Sequence, residues 1–440
     1  MVKPQPRTAP RLDVAGPPPD PRTGRRHAWV VTALIVAFML VNYADKSVLG
    51  LAAVPIMDEL HISNSTYGLI SSSFALLFSL SGLLVGFASA RVSSRVLLAT
   101  LAAVWAVAQL PVLFVASVPV LVAGRVLLGA AEGPAAPMSM HALYKWFPED
   151  RRGLPSALQI SGAALGTLIA APVVTWLISA FGWRSAFAAL AATSVAWSLL
   201  WWRAGHDGPY GHEPGHGTAP DTGPATRLPY RRLLLNGTVL GSIAGAFGAS
   251  WALALSQAWL PAYLRTQLGM SPGRAATLIS GVSAFSFVLL LAVSPLVDAL
   301  KRRGVSSRWS SGAPQGVAVT AAGLAMAALP LADARALLLA LLAVAFGAHA
   351  IAFPLHYMTT AAVVPPAQRG AVFGIVAATG TLPGLIAPYL TGRLLDSAPS
   401  QGTGYTHAFL LSAALMLVCG LVALTAIRPE RDARRLSRTS

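Results

Sequence analysis

The sequence predicts an all-α polytopic membrane protein: 12 transmembrane helices in two six-helix bundles. Three observations carry that expectation. Of 440 residues, 55% are hydrophobic and only 11% are charged, with a mean hydropathy of +0.62; soluble domains carry about 25% charged residues. Apolar stretches long enough to cross about 30 Å of hydrocarbon recur twelve times. The basic residues are also segregated. With the amino terminus inside, Arg184, Arg265, Arg274, Arg335 and Arg393 fall outside, Lys46 and Arg125 lie within spans, and the other 25 of the 32 lysines and arginines fall inside. Such a bias sets orientation, so both termini are expected in the cytoplasm.

Along the chain, residues 1–26 are rich in Pro and Arg and hold no apolar run, which reads as a disordered tail without a cleavable signal peptide. Spans are expected near 28–53, 66–88, 96–116, 119–141, 156–179 and 184–202, forming a first bundle at 27–203. A second set near 236–261, 274–297, 314–331, 335–358, 370–392 and 406–427 forms a bundle at 233–428. The linker between them, 204–232, contains GHDGPYGHEPGHG, and a short tail follows at 429–440. His206, His212 and His216 in that linker lack regular ligand spacing, so a flexible connection is expected rather than a metal site. The single cysteine, Cys419, excludes an intramolecular disulfide and a cysteine-based zinc site. No cofactor or metal is expected. The net charge of +16 is assigned to topology and to attraction for membrane lipid head groups, not to nucleic acid.

Four ionisable residues break the apolar runs: Asp45 and Lys46 in the first span, Arg125 and Glu132 in the fourth. A charge at bilayer depth costs about 2.5–3.5 kcal/mol on insertion scales, so it persists where it meets a watery cavity or a partner. Arg125 and Glu132, seven residues apart, share one helix face, ~10.5 Å apart along the axis. Asp45 on an outgoing helix and Arg125 on an incoming one reach similar depth in the outer half and are placed to pair. Glu132 lies nearer the midplane. Gly129 and Gly133 permit close backbone approach, and Pro134 and Pro137 kink the helix end. Other polar residues deep in apolar runs are Asn42, Tyr43, Gln159, Ser256, Gln257, His349, His356 and Tyr357. For each of these, ligand contact competes with a plain interhelical hydrogen bond. His349 and His356, also seven apart, are expected on one face as a candidate second proton site.

The motifs then point to a family. GFASARVSSR (Gly86–Arg95) after span two and SPLVDALKRRG (Ser294–Gly304) after span eight are basic turns at matching positions in the two halves. With six plus six spans and a long central loop, the chain resembles the major facilitator superfamily over about residues 28–428. Ala90 stands where that pattern usually has Asp, and Ser93 where it usually has Gly. Finer signatures resemble the anion:cation symporter branch: Asn42-Tyr43-Ala44-Asp45-Lys46, Arg125-x-x-x-Gly129-x-x-Glu132-Gly133, Trp146-Phe147-Pro148 followed by Arg152, Gly182-Trp183-Arg184 with Phe187, and Trp259-Leu260-Pro261-Ala262-Tyr263-Leu264. Lys46 replaces the arginine usual in that branch, a point charge in place of a fork.

The resemblance implies that Asp45 and Glu132 carry protons while Arg125 and Lys46 contact the anion. It also implies that Tyr43 and Gln159 match positions that touch sugar acids in some relatives. Asn42, Gln257, His356 and Tyr357 complete the expected binding set. Asp298 and Arg302 in one half, with Arg91 and Arg95 in the other, are the expected gating residues. The function expected is proton-coupled symport, importing a small organic anion (a carboxylate) by alternating access. The alternative, proton-driven export of a hydrophobic drug or lipid, fits two bases beside the acids less well. No enzyme is expected, since neither Gly-x-Ser-x-Gly nor His-Glu-x-x-His occurs. The expected partners are the anion, protons and lipid, with the chain a monomer. A composition rich in Ala, Arg, Gly and Pro suggests a bacterium and hence its inner membrane. Trp251, Trp259, Tyr43 and Phe78 lean the substrate toward a compact, partly apolar monocarboxylate.

Overall fold

The computed structural model describes residues 21–88, 92–148, 151–210, 228–365 and 368–437. Twelve helices in it are long and apolar enough to cross a membrane. In order, spans 1–6 are Arg26–Leu51, Asn64–Val85, Ser94–Phe114, Val118–Tyr144, Leu154–Phe181 and Trp183–Ala204. Spans 7–12 are Gly237–Ala258, Pro272–Arg302, Arg308–Leu331, Arg335–Ala361, Ala371–Ser397 and Gln401–Ala426. Span 1 packs along span 5, and span 3 lies against spans 4 and 6; in the second half span 7 packs on spans 11 and 12, and span 9 on span 12. The protein is thus a multi-pass membrane protein of two six-helix bundles. They meet where span 2 runs along span 11 and span 5 along span 8.

Several spans are interrupted, one of them at a proline. Span 2 leaves the helix in a turn at 74–77, and span 4 does so at Gly133-Pro134, where the proline ring has no N–H to offer the preceding turn. Span 10 passes through a 3-10 turn at Ala348–Ile351.

The end of the molecule opposite the termini is closed by contacts between halves. A Cβ on Gly50 would meet the Gln257 carbonyl oxygen at 1.8 Å, and one on Gly68 the Pro388 oxygen at 2.4 Å. The Tyr67 hydroxyl donates to the Ala258 carbonyl at 3.0 Å. Asp396, at the end of span 11, accepts from the backbone N–H groups of Asn64 and Ser65 (3.0 and 2.8 Å) and from Asn64 Nδ2 (2.9 Å). Those N–H groups belong to the first turn of span 2, which has no intrahelical acceptor for them.

The family signatures also acquire structural reasons. Arg152 Nε donates to the Phe147 carbonyl at 2.9 Å and Nη2 to that of Tyr144 at 3.3 Å, satisfying the carbonyls that end span 4. Gly182 adopts φ +82° between spans 5 and 6, the left-handed region that favours glycine. Next to it, Trp183 Nε1 donates to Glu59 at 2.6 Å and Arg184 engages the same carboxylate with both terminal nitrogens at 2.9 and 2.6 Å.

The polar ends are more ordered than composition implies. Helix begins at Pro21, inside the segment expected as a tail. A further helix, Pro429–Ser437, docks on the second bundle, where Asp432 accepts from the Thr238 N–H (2.8 Å) and hydroxyl (2.7 Å). Burial works against ionising Asp432, yet hydrogen bonds from Arg431 and Thr238 hold its carboxyl below the usual carboxylate range. In the linker, His206 stacks on His27 with ring centroids 4.3 Å apart, and Asp207 pairs with Lys145 at 3.1 Å. His212 and His216 lie outside the described residues.

Candidate functional site

A cavity of about 190 Å³ lies between the halves, walled by spans 1, 2 and 4 on one side and 7 and 11 on the other. Glycine spacing in span 4 builds it. A Cβ on Gly129 would meet the Phe74 carbonyl oxygen at 1.8 Å, and one on Gly133 that of Phe78 at 1.9 Å. Only hydrogen at these positions lets span 2 lie against span 4. That approach brings the Phe74 ring to 4.6 Å from the Arg125 guanidinium and Phe78 to 5.5 Å from Lys46 Nζ. Tyr43 approaches Lys46 more closely, at 4.4 Å. Ring faces attract cations, so the two bases are held at the cavity wall without being neutralised there.

The acids stand behind them. Asp45 is 0% exposed and Glu132 1%. Lys46 Nζ lies 3.5 Å from Glu132 Oε2 and donates to Asn42 Oδ1 at 2.8 Å. Gln109 Nε2, from span 3, donates to Asp45 Oδ1 at 3.1 Å. The expected pairing of Asp45 with Arg125 takes a different form: Arg125 Nη1 reaches the backbone carbonyl of Asp45 at 3.4 Å, not its carboxylate. Adjacent helical residues point about 100° apart, so with Lys46 facing Glu132 and the cavity, the Asp45 side chain turns toward span 3. Asp45 Oδ2, both Glu132 oxygens and Arg125 Nε have no hydrogen-bond partner among the described residues. Buried groups left so incompletely satisfied are uncommon and call for an explanation; beside a cavity, access to another partner supplies one. The four charges sum to zero.

Of the other expected binding residues, Tyr43 and Gln257 line the cavity and Asn42 reaches it through Lys46. Gln159 instead joins spans 5 and 4, its amide donating to Ser139 Oγ at 2.9 Å and the Ala136 carbonyl at 3.3 Å. His356 donates a ring N–H to the Ala352 carbonyl at 3.2 Å and packs on Tyr357, centroids 3.9 Å apart. Neither His356 nor Tyr357 is on the cavity wall. His349 falls in the 3-10 turn, whose tighter winding changes its phase relative to His356 by only a fraction of a turn; both rings are buried, and His349 is not on the cavity wall either.

Among the expected gating residues, Asp298 is exposed beside a separate recess of about 120 Å³ between spans 8 and 10 and makes no ion pair among the described residues. Arg302 is exposed at the end of span 8. Arg95 donates to the Trp202 carbonyl and lies 5.0 Å from that indole ring. Arg91 and Ala90 lie outside the described residues. Sequence reasoning missed Gln109, Phe74, Ser250 and Thr381. The first had a signal, as a lone amide in the apolar run before Leu110-Pro111.

Comparison with known proteins gives the family and the fold. The sequence model of the Major Facilitator Superfamily matches residues 34–313 and 305–440. A hexuronate transporter of Bacillus subtilis is 27% identical over 395 residues, covering 89% of this chain and 92% of its own. A D-galactonate transporter of Escherichia coli is 25% identical, with 91% and 95% covered. Among solved structures, a bacterial homologue of the human lysosomal transporter Spinster, inward-facing and unoccupied, aligns with a TM-score of 0.76 at 18% identity, over 92% of this chain and 98% of that one.

Proposed function

The chain belongs to the Major Facilitator Superfamily, and from that premise we propose that it is a proton-coupled symporter importing a small organic anion, a carboxylate, by alternating access. The observation that carries this reading is the order of charges: two cations at the cavity wall, each backed by a buried acid. Relatives named for hexuronate and D-galactonate support an organic acid as cargo. An exporter of hydrophobic cations would gain nothing from Lys46 and Arg125 at its wall.

The chemistry follows from competition. Desolvation favours a carboxylate's neutral form and a nearby cation favours its charged form. A substrate carboxylate that engages Lys46 and Arg125 withdraws Lys46 from Glu132, which then takes a proton. By linkage, protonating Glu132 frees Lys46 and tightens anion binding by the same factor. Asp45, held by Gln109 and beneath Arg125, is the second proton carrier. The bias of basic residues supports cytoplasmic termini, and the composition supports a bacterial inner membrane; on that reading the closed end is periplasmic and the described state faces inward. Asp298 and Arg302 act in gating from the cytoplasmic end of span 8, and Arg91 and Arg95 from that of the first half.

The experiment is calorimetric titration of organic acids into purified protein, wild type against Arg125→Ala. Removing one partner of a buried charge pair costs about 2–5 kcal/mol, so Arg125→Ala is expected to weaken binding at least thirtyfold. Undiminished affinity in a folded variant overturns the assignment.

A further inference from the structure

All the charge on the cavity wall lies on one side. Lys46 and Arg125 come from spans 1 and 4, whereas the facing wall presents Ser250, Leu253, Ala254, Gln257, Thr381 and Gly384, none of which ionises at physiological pH. A substrate with a second carboxylate would set that charge against uncharged atoms, and a desolvated charge without a partner is costly.

A polyhydroxylated body is disfavoured by the same wall. Thr381 Oγ1 already shares a 2.5 Å hydrogen bond with Ser79 Oγ and donates to the Ala378 carbonyl at 2.8 Å. That leaves Ser250 and Gln257 as the polar side chains of the facing wall among those described, with the Tyr43 and Ser71 hydroxyls on the wall opposite. A six-carbon sugar acid brings about four or five hydroxyls, and each one buried without a partner costs about 1–3 kcal/mol. Size points the same way. A dry cavity of about 150 Å³ accepts benzene, so about 190 Å³ holds one six-membered ring with its carboxylate.

Resting on the reading of this site as an organic-anion pathway, we propose that the transported anion is a monocarboxylate with an uncharged, mainly apolar body about the size of one six-membered ring. It binds carboxylate-first at Arg125, its body against Leu253, Ala254 and Gly384. The rings of Tyr43 and Phe74 flank the carboxylate end.

The test is titration of the detergent-solubilised full chain with four probes at constant ionic strength: benzoate, cyclohexanecarboxylate, terephthalate and glucuronate. Benzoate and cyclohexanecarboxylate are expected to bind, with glucuronate and terephthalate at least tenfold weaker. Glucuronate or terephthalate binding as tightly as benzoate overturns the assigned substrate class and leaves the organic-anion reading intact. Binding of none of the four by protein that melts cooperatively overturns both. Glucuronate is itself a hexuronate, so the panel also separates this chain from the relative named for that substrate.

Discussion

Neutralising Glu132 gives the sharpest test of the coupling mechanism. Lys46 Nζ is 3.5 Å from Glu132 Oε2 and nearly all of both groups is out of solvent. Two unit charges at that distance attract by about 5 kcal/mol at an effective dielectric constant of about 20, an upper bound because a freed Lys46 recovers part of it from its surroundings. Under the proposed coupling, an incoming anion competes with Glu132 for Lys46 in the wild type, so binding is expected to tighten as pH falls, with a proton entering beside the anion. Glu132→Gln keeps the shape and removes the competitor. Its affinity for benzoate is expected to depend less on pH between 5 and 8, and at pH 8 to be at least tenfold tighter than wild type, a gain of about 1.4 kcal/mol. Calorimetry in buffers of different ionisation enthalpy counts the protons, and fewer per anion are expected in Glu132→Gln than in the wild type. Asp45→Asn retains the backbone carbonyl that Arg125 contacts and an acceptor for Gln109, so it keeps the competition between Glu132 and the anion for Lys46 and loses only the proton that Asp45 carries. Proton uptake unchanged in both variants refutes carboxylate coupling and leaves a uniporter or a histidine-coupled carrier.

Three further outcomes follow from the packing and the surface. Gly129→Ala sets a Cβ against the Phe74 backbone oxygen, so span 2 must shift; overpacking of about 1–3 kcal/mol is expected as a lower melting temperature with anion affinity reduced alongside it. Asp396→Ala removes three hydrogen bonds between the halves at the closed end; a loss of about 1–2 kcal/mol after allowance for exposure shifts the populations with that end closed and open five- to thirtyfold, read as a longer spin-label distance between Ser65→Cys and Ala398→Cys. Hydrogen bonds from Arg184, then Trp183, hold the Glu59 carboxyl below its ordinary range. A depressed carboxylate contributes stability above its unfolded value of about 4.3 and loses it as pH falls through the folded value. Glu59→Gln therefore lowers the melting temperature slightly at pH 7, by under about 1 kcal/mol for so exposed a pair, and the difference closes below about pH 4.

The elements that could be read from the chain are those where one residue type admits few explanations. A charge in an apolar run, a glycine one helical turn from it and a basic turn after a span each have a physical reason confined to a few residues. What escaped reading depends on phase. Arg125 and Glu132 share a face because Val118–Glu132 is continuous helix, whereas the run from His349 to His356 passes through a 3-10 turn, with no proline or glycine inside it, that the sequence does not announce. Asp45 and Lys46 read as a pair by adjacency, yet their side chains serve different neighbours. Gln109 carries no charge and was passed over, although it supplies the hydrogen bond to the Asp45 side chain. The docking of the 429–437 helix on Thr238 was illegible for another reason: it depends on a donor pair nearly two hundred residues upstream.

Both bases and both acids belong to the first bundle, and this constrains how the machine can be timed. When the bundles rock, the distances within that quartet need not change, so proton and anion exchange cannot be triggered by pulling the partners apart. What rocking alters is which aqueous compartment reaches them. In the proposed cycle the second bundle would serve as a shutter, its neutral wall sliding past a cargo that stays with one side of the molecule. Substitutions on spans 7 and 11 should accordingly retune selectivity and turnover while leaving the proton-to-anion ratio where the first bundle sets it.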